Sequence, residues 1–177
     1  SNITEHSQFG KVSTEVASSD ISGPIKDVEL ATNGQWAVMV DNYDVKHVNL
    51  MSSTKTITTI ANNVYATGIC LSPNSTKMFF WFNAGEFRQY SMPADPNLVT
   101  VPTYTSFTGS NFFGQDPPRG DCSVTIDGHL IVTDWYDIHE VSTSSGLKTK
   151  TYNIGATYAS RIMSLTVTGE NDNIILY

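Results

Sequence analysis

The chain has 177 residues, 40% of them hydrophobic and 15% charged, with a net charge of −7. That is enough length for one buried core or two small ones, and too few charges for a disordered chain or a coiled coil, whose charged fractions exceed the usual roughly 25%. The ten Lys and Arg residues are scattered, so nucleic acid is not an expected partner, and the longest apolar runs, such as 78–82, fall far short of the roughly 20 residues a membrane span needs.

In chain order, residues 2–16 alternate apolar positions (Ile3, Phe9, Val12, Val16) with polar ones and match the later stretch 137–151 with one deletion, which predicts two strands. Residues 24–62 carry DVELATNGQWAVMVDNYDVKHV at 27–48: a strand, a polar turn at Thr32, Asn33 and Gly34, and a second strand. Alternating stretches at 43–50 and 55–60 extend this to four strands. Residues 64–103 repeat the front half as GICLSPNSTKMFFWF at 68–82, with the turn at 73–76. Residues 101–118 are rich in Pro, Gly and Phe, and 104–118 read as a long loop containing Tyr104, Phe107, Phe112 and Phe113.

Residues 119–155 carry DCSVTIDGHLIVTDWYDIHEV at 121–141, which aligns with 27–48 if one gap is placed in the turn before Trp36. Residues 158–177 repeat only strand, turn and strand, the turn lying at Gly169, Glu170, Asn171, Asp172 and Asn173. The turns begin at Ala31, Ser72, Thr125 and Thr166, about 41, 53 and 41 residues apart, close to the roughly 40–45 of a four-stranded repeat unit. Such a unit is apolar on both faces and is stable only when stacked on others. Trp36, Phe79, Phe80, Trp81, Ile131, Val132, Ile174 and Ile175 supply the stacking surface, with Trp36 and Trp81 expected between units.

The run DGHLIVTDW at 127–135, followed by Ile138, His139, Glu140 and Val141, resembles the blades of YWTD, NHL and gluconolactonase-like β-propellers, and the Ser72-Pro73-Asn74 turn resembles that of WD40-like blades. The resemblance implies an all-β propeller of about four blades, each of four antiparallel strands. The first strands at 2–16 are outer strands of a blade and 158–177 are inner strands, so the two ends can complete one blade in cis or in trans, which also protects strand edges. Three arrangements satisfy this: a closed four-bladed ring, a head-to-tail ring or filament of several copies, and a piece of a longer propeller.

Candidate site residues are sparse. Asp41 with Asp44, and Asp134 with Asp137, sit in matching turns that could accept a hard cation such as Ca²⁺, but capping of the turn is the preferred reading. The same holds for the polar turn 170–173. No catalytic residue can be assigned; His6, His47, His129 and His139 occupy non-equivalent positions, with His47 and His139 expected in third strands. Arg119-Gly120-Asp121 is an adhesion-type tripeptide read as a chance match. Cys70 and Cys122 are in the first strands of adjacent blades but on opposite faces by the alignment, which predicts two buried thiols, since a disulfide needs Cβ atoms about 3.8 Å apart.

Two sequons, at Asn2 and Asn74, suit N-glycosylation in a secretory route. The function expected is an extracellular structural or protein-interaction module that displays the 101–118 loop, binds protein partners including itself, and exchanges the strands bearing Ile3, Phe9, Val12 and Val16. No cofactor is expected beyond Ca²⁺ at the turns. A propeller hydrolase or lactonase with a cation at the channel mouth, as the resemblance also implies, is the second reading; an intracellular WD40-like adaptor is the third.

Overall fold

The computed structural model describes residues 21–53, 55–66, 68–82, 86–108, 121–133, 137–154, 165–168 and 173–176. Every regular element among them is a strand, and none is a helix able to cross a membrane. Three four-stranded antiparallel sheets follow one another: β1 (Ile25–Leu30), β2 (Trp36–Asp41), β3 (Asp44–Asn49) and β4 (Ile57–Ala61); β5 (Ile69–Leu71), β6 (Lys77–Phe82), β7 (Glu86–Ser91) and β8 (Tyr104–Thr108); and β9 (Cys122–Val124), β10 (His129–Thr133), β11 (Asp137–Ser142) and β12 (Lys148–Asn153). A two-stranded sheet, β13 (Leu165–Thr168) with β14 (Asn173–Leu176), closes the series.

Each sheet is a meander in sequence order, as expected when every connection is a hairpin. The repeat is visible in backbone bonds. Ala31, Ser72 and Thr125 each donate N–H across the first hairpin, to the carbonyls of Trp36, Lys77 and His129. The same three residues accept N–H from Gly34, Ser75 and Gly128, which all have positive φ (68°, 56° and 92°). Glycine relieves that conformation in two turns, while Ser75 adopts it at a steric cost and uses its hydroxyl elsewhere. Its Oγ accepts the Thr32 N–H at 2.8 Å, tying the first two turns together.

Alternate residues of each sheet face opposite neighbours. Trp36, Val38, Val40 and Val45 of the first sheet meet Ile69, Met78, Phe80 and Tyr90 of the second in one buried cluster. The opposite face of the second sheet, Cys70, Phe79 and Phe87, meets Cys122, Val124, Leu130 and Val132 of the third. Trp36 is therefore an inter-sheet core residue, as expected; the side chains of Trp81, Ile174 and Ile175 lie outside the described residues.

This stacking corrects the cysteine expectation. Cys70 and Cys122 form a disulfide, with Cα atoms 5.8 Å apart. They do occupy opposite faces of equivalent strands, but the front face of one sheet lies against the rear face of the next. Opposite faces are thus the ones that meet, and a thiol on each is placed for bonding.

The long loop also needs correction. Residues 104–108 are not loop: they form β8, the outer strand of the second sheet, paired with β7 from Tyr90↔Tyr104 to Glu86↔Thr108. An irregular stretch precedes it, between Ser91 and Tyr104, and the rest of the predicted loop, 109–118, lies outside the described residues. The prolines at 93, 96 and 102 explain why it cannot join the ladder.

Candidate functional site

Asp41 and Asp44, considered for a cation, are already engaged by the protein. Asp41 is fully buried; its Oδ2 accepts from Ser22 N (2.6 Å), Ser22 Oγ (3.0 Å) and Lys46 Nζ (2.5 Å), and its Oδ1 from Gly23 N (2.8 Å). Asp44 accepts Asn63 N–H at 2.9 Å. Burial alone would raise the Asp41 carboxyl, but the bonds from Lys46 and Ser22 and the Lys46 charge outweigh it and hold the group below its ordinary value. The expectation that these carboxylates cap their own turn is corrected: Asp41 anchors the incoming chain at Ser22 and Gly23, and Asp44 holds the backbone of Asn63, because the turn lies against both segments.

His47 and His139 do lie in third strands and are buried. Burial pushes His47 down to about 4, so its ring is neutral at physiological pH. His139 meets Thr151 Oγ1 at 2.9 Å, and His129 Nδ1 meets Glu140 Oε1 at 2.5 Å. Tyr104 and Phe107 lie on opposite faces of β8. Phe107 stacks on Phe87 at 4.7 Å and packs beneath Gly146, where a Cβ would collide with its ring. It belongs to the packing between the second and third sheets. Tyr104 is half-exposed, stacked on Tyr90 at 4.9 Å with the Arg88 guanidinium 4.7 Å from its ring. Phe112, Phe113, Asn2, Ile3, Phe9, Val12, Val16, Asp134 and the turn 169–172 lie outside the described residues.

Two features went unnoticed in the sequence. One is a group of acids on the inner strands, Asp27 and Glu29 of β1 and Asp121 just before β9. Asp27 accepts Val28 N (2.8 Å) and Ile69 N (2.9 Å), and Asp121 repeats the first of these bonds with Cys122 N (2.8 Å). Desolvation, then the charges of Asp27 and Asp121, push Glu29 up to about 7; Asp27 is also raised, by desolvation first. Among the described residues no group of three His, Cys, Asp or Glu side chains could hold a metal ion, so these acids do not fit a cation site as placed.

A pH dependence follows. Because Glu29 binds its proton more tightly folded than unfolded, where its ordinary value is 4.5, its contribution is fully present below pH 4.5 and is lost as pH rises through about 7. Glu29→Gln removes that loss. After discounting for solvent screening of a half-buried group, the variant should gain about 1–2 kcal/mol at pH 8 and almost nothing at pH 4. Urea unfolding at the two pH values checks this; an equal gain at both would refute it.

The other feature is a cavity of about 260 Å³ between the first hairpin turns of the first two sheets, with Thr32, Asn33 and Trp36 on one side and Asn74, Ser75 and Thr76 on the other. The Trp36 Nε1–H, in a side chain almost wholly buried, has no hydrogen-bond partner. The signal was available: the repeat places polar Lys77 and His129 where the first unit has a tryptophan.

No protein-family model and no curated protein matches the chain. Solved structures do. Hydrazine synthase of Kuenenia stuttgartiensis matches with a TM-score of 0.64 and 14% identity over 97% of this chain and 45% of its own. Regucalcin of Agrobacterium tumefaciens, described as a calcium-binding protein, matches with a TM-score of 0.62 and 13% identity, over 86% of this chain and 52% of its own. The fold is a β-propeller fold. A luciferin-regenerating enzyme matches at a TM-score of 0.64 and 16% identity over the same shares, 86% and 52%. At such identities the likeness concerns blade architecture alone. This propeller chain spans about half the length of the propeller proteins it matches.

Proposed function

We propose that the chain is an extracellular propeller scaffold that works by binding protein, in the first place a second copy of itself. The observation that carries this reading is the exposed apolar side of the inner strand β1; on the same face Ala37, Met39 and Val48 of β2 and β3 are buried. Val28 and Leu30 of β1 are 54% and 59% exposed, whereas of the equivalent residues in the next two blades Ile69, Cys122 and Val124 are 0%, 3% and 7% exposed and Leu71 is partly buried, because a preceding blade covers them. Burying such apolar side chains contributes about 1.5–3 kcal/mol each, so a second copy docked along β1 gains from covering them. Two copies set head to tail also approach the length of the single-chain propellers above.

The extracellular assignment is supported by the disulfide, since such bonds persist mainly in oxidising compartments, and by the exposed Asn74 sequon. The strands bearing Ile3, Phe9, Val12 and Val16 are proposed to add to the same contact by exchange. Val99, Val101 and Tyr104, exposed at 93%, 53% and 50%, form a further apolar surface for protein partners.

Light scattering tests the assembly. Wild-type protein should have a mass of two or more chains, and Val28→Asp with Leu30→Asp should reduce it to one while retaining the circular dichroism of the fold. A monomeric wild type would sink the self-assembly reading. The second reading, a hydrolase or lactonase with a divalent cation, is favoured by the likeness to regucalcin, described as a calcium-binding protein, and to a luciferin-regenerating enzyme. It requires a stoichiometric metal in the purified protein.

A further inference from the structure

We propose that the cavity between the first two hairpin turns binds a neutral, acceptor-rich sugar ring of the N-acetylhexosamine type. The inference stands independently of the assembly reading, because the cavity belongs to the junction of the first two blades, away from the open face of β1.

The lining decides the ligand chemistry. Three of the lining residues carry side-chain N–H groups that make no bond within the described protein, one of them buried. Trp36 Nε1 is the buried one. The carboxamides of Asn33 and Asn74 spend only their oxygens on the protein: Asn33 Oδ1 accepts Gln35 N–H at 3.0 Å, and Asn74 Oδ1 accepts from Ser72 Oγ (2.8 Å), Thr76 Oγ1 (2.8 Å) and Thr76 N (3.2 Å). Both Nδ2 groups are left to donate. The Thr32 hydroxyl, by contrast, is used up between Pro73 O at 2.6 Å and Ser75 Oγ at 2.9 Å. Set in a largely apolar lining, these donors select a ring that offers acceptors beside an apolar face.

Among the described residues no cationic or anionic side chain borders the cavity, which disfavours phosphate and carboxylate ligands, whose recognition relies on charge-assisted bonds. At about 260 Å³ the space falls just below the roughly 300–1,000 Å³ of drug-sized sites and suits one small ring. A buried indole N–H without a partner costs stability, and the two other blades avoid it by placing Lys77 and His129 at the same point. A ligand acceptor supplies what the fold leaves out.

Such a ring has two sources. It could be a free or terminal sugar, or the first sugar of a glycan linked to Asn74 Nδ2, because the three residues of that sequon form one wall of the cavity. The experiment separates them. The chain has three tryptophans, hence three indole N–H signals by NMR, and Trp36→Phe identifies the one at issue by its loss. In the first arm, unglycosylated protein is titrated with N-acetylglucosamine; in the second, protein carrying a single N-acetylglucosamine on Asn74, verified by mass, is compared with Asn74→Gln.

A saturable shift of the Trp36 signal in the first arm assigns a free sugar, and a shift in the second assigns the attached one. Asn33→Asp retains the turn-bonding oxygen but removes a donor, so it should weaken the free-sugar response about fivefold or more. No movement of the Trp36 signal in either arm overturns the proposal, as does a free-sugar shift that Asn33→Asp leaves unchanged.

Discussion

Breaking the Cys70–Cys122 disulfide is expected to destabilise the protein by about 4 kcal/mol, because the bond closes a loop of 52 residues whose entropy the unfolded chain would otherwise regain. For a chain of this size that corresponds to a melting temperature lower by roughly 10 °C. The bond joins the inner strands β5 and β9, so the loop it closes contains the whole outer part of the second blade. Its loss falls on the junction between the second and third blades, where Phe79, Phe87 and Phe107 pack against Leu130 and Val132. Cys70→Ser with Cys122→Ser, or complete reduction confirmed by thiol titration, should therefore expose that junction to hydrogen exchange while the Trp36 cluster between the first and second blades stays protected. An unchanged melting temperature after complete reduction would show that the bond does not constrain the unfolded chain.

The architecture was legible because a propeller repeats its turns. Ala31, Ser72 and Thr125 were recognisable from short polar triplets, and the backbone bonds of all three proved equivalent. The relation between blades was harder to read. Strand alternation gives the face of Cys70 and of Cys122 correctly, but whether opposite faces meet depends on how sheets stack, which is a property of the assembly and not of either strand. Tyr104 and Phe107 were missed for a different reason. Nearby prolines mark irregular backbone, yet the five residues after Thr103 have the β-branched and aromatic composition of a strand and pair along β7. The prolines bias the surroundings toward loop, but in the protein the ladder with β7 prevails.

The acids show the same limit. Asp27 and Asp121 are equivalent in the alignment, and each caps its own following N–H. Asp27 acts on Glu29 from two residues away on the same strand, but the influence of Asp121 arises only because the inner strands of separate blades converge, and sequence spacing contains no trace of that distance. Trp36 differs from them, since its departure from Lys77 and His129 is visible in the alignment itself. A break in a repeat pattern signals a local role more directly than any single residue type.

Asp41→Ala is expected to cost about 3–5 kcal/mol, one of the largest effects of any single substitution in the described chain. The carboxylate accepts four hydrogen bonds, from Ser22 N, Ser22 Oγ, Gly23 N and Lys46 Nζ, so truncation removes the acceptor from three donors of the incoming chain and from a cation. Lys46 itself is buried on the rear face of the first blade, where losing the carboxylate removes a charged partner at 2.5 Å. Lys46→Met should cost less, because its aliphatic stem is replaced and Asp41 retains the Ser22 and Gly23 donors. In a double-mutant cycle the pair should therefore show a coupling of about 1–3 kcal/mol. The pH dependence has the opposite sign to that of Glu29. Asp41 is held below its ordinary 3.8, so its contribution is present above that pH and is lost as acid titrates the folded carboxyl. Wild-type protein should thus lose stability on acidification in a way that Asp41→Ala does not. Equal acid sensitivity of the two proteins would mean that Asp41 does not anchor the entry of the chain into the first blade.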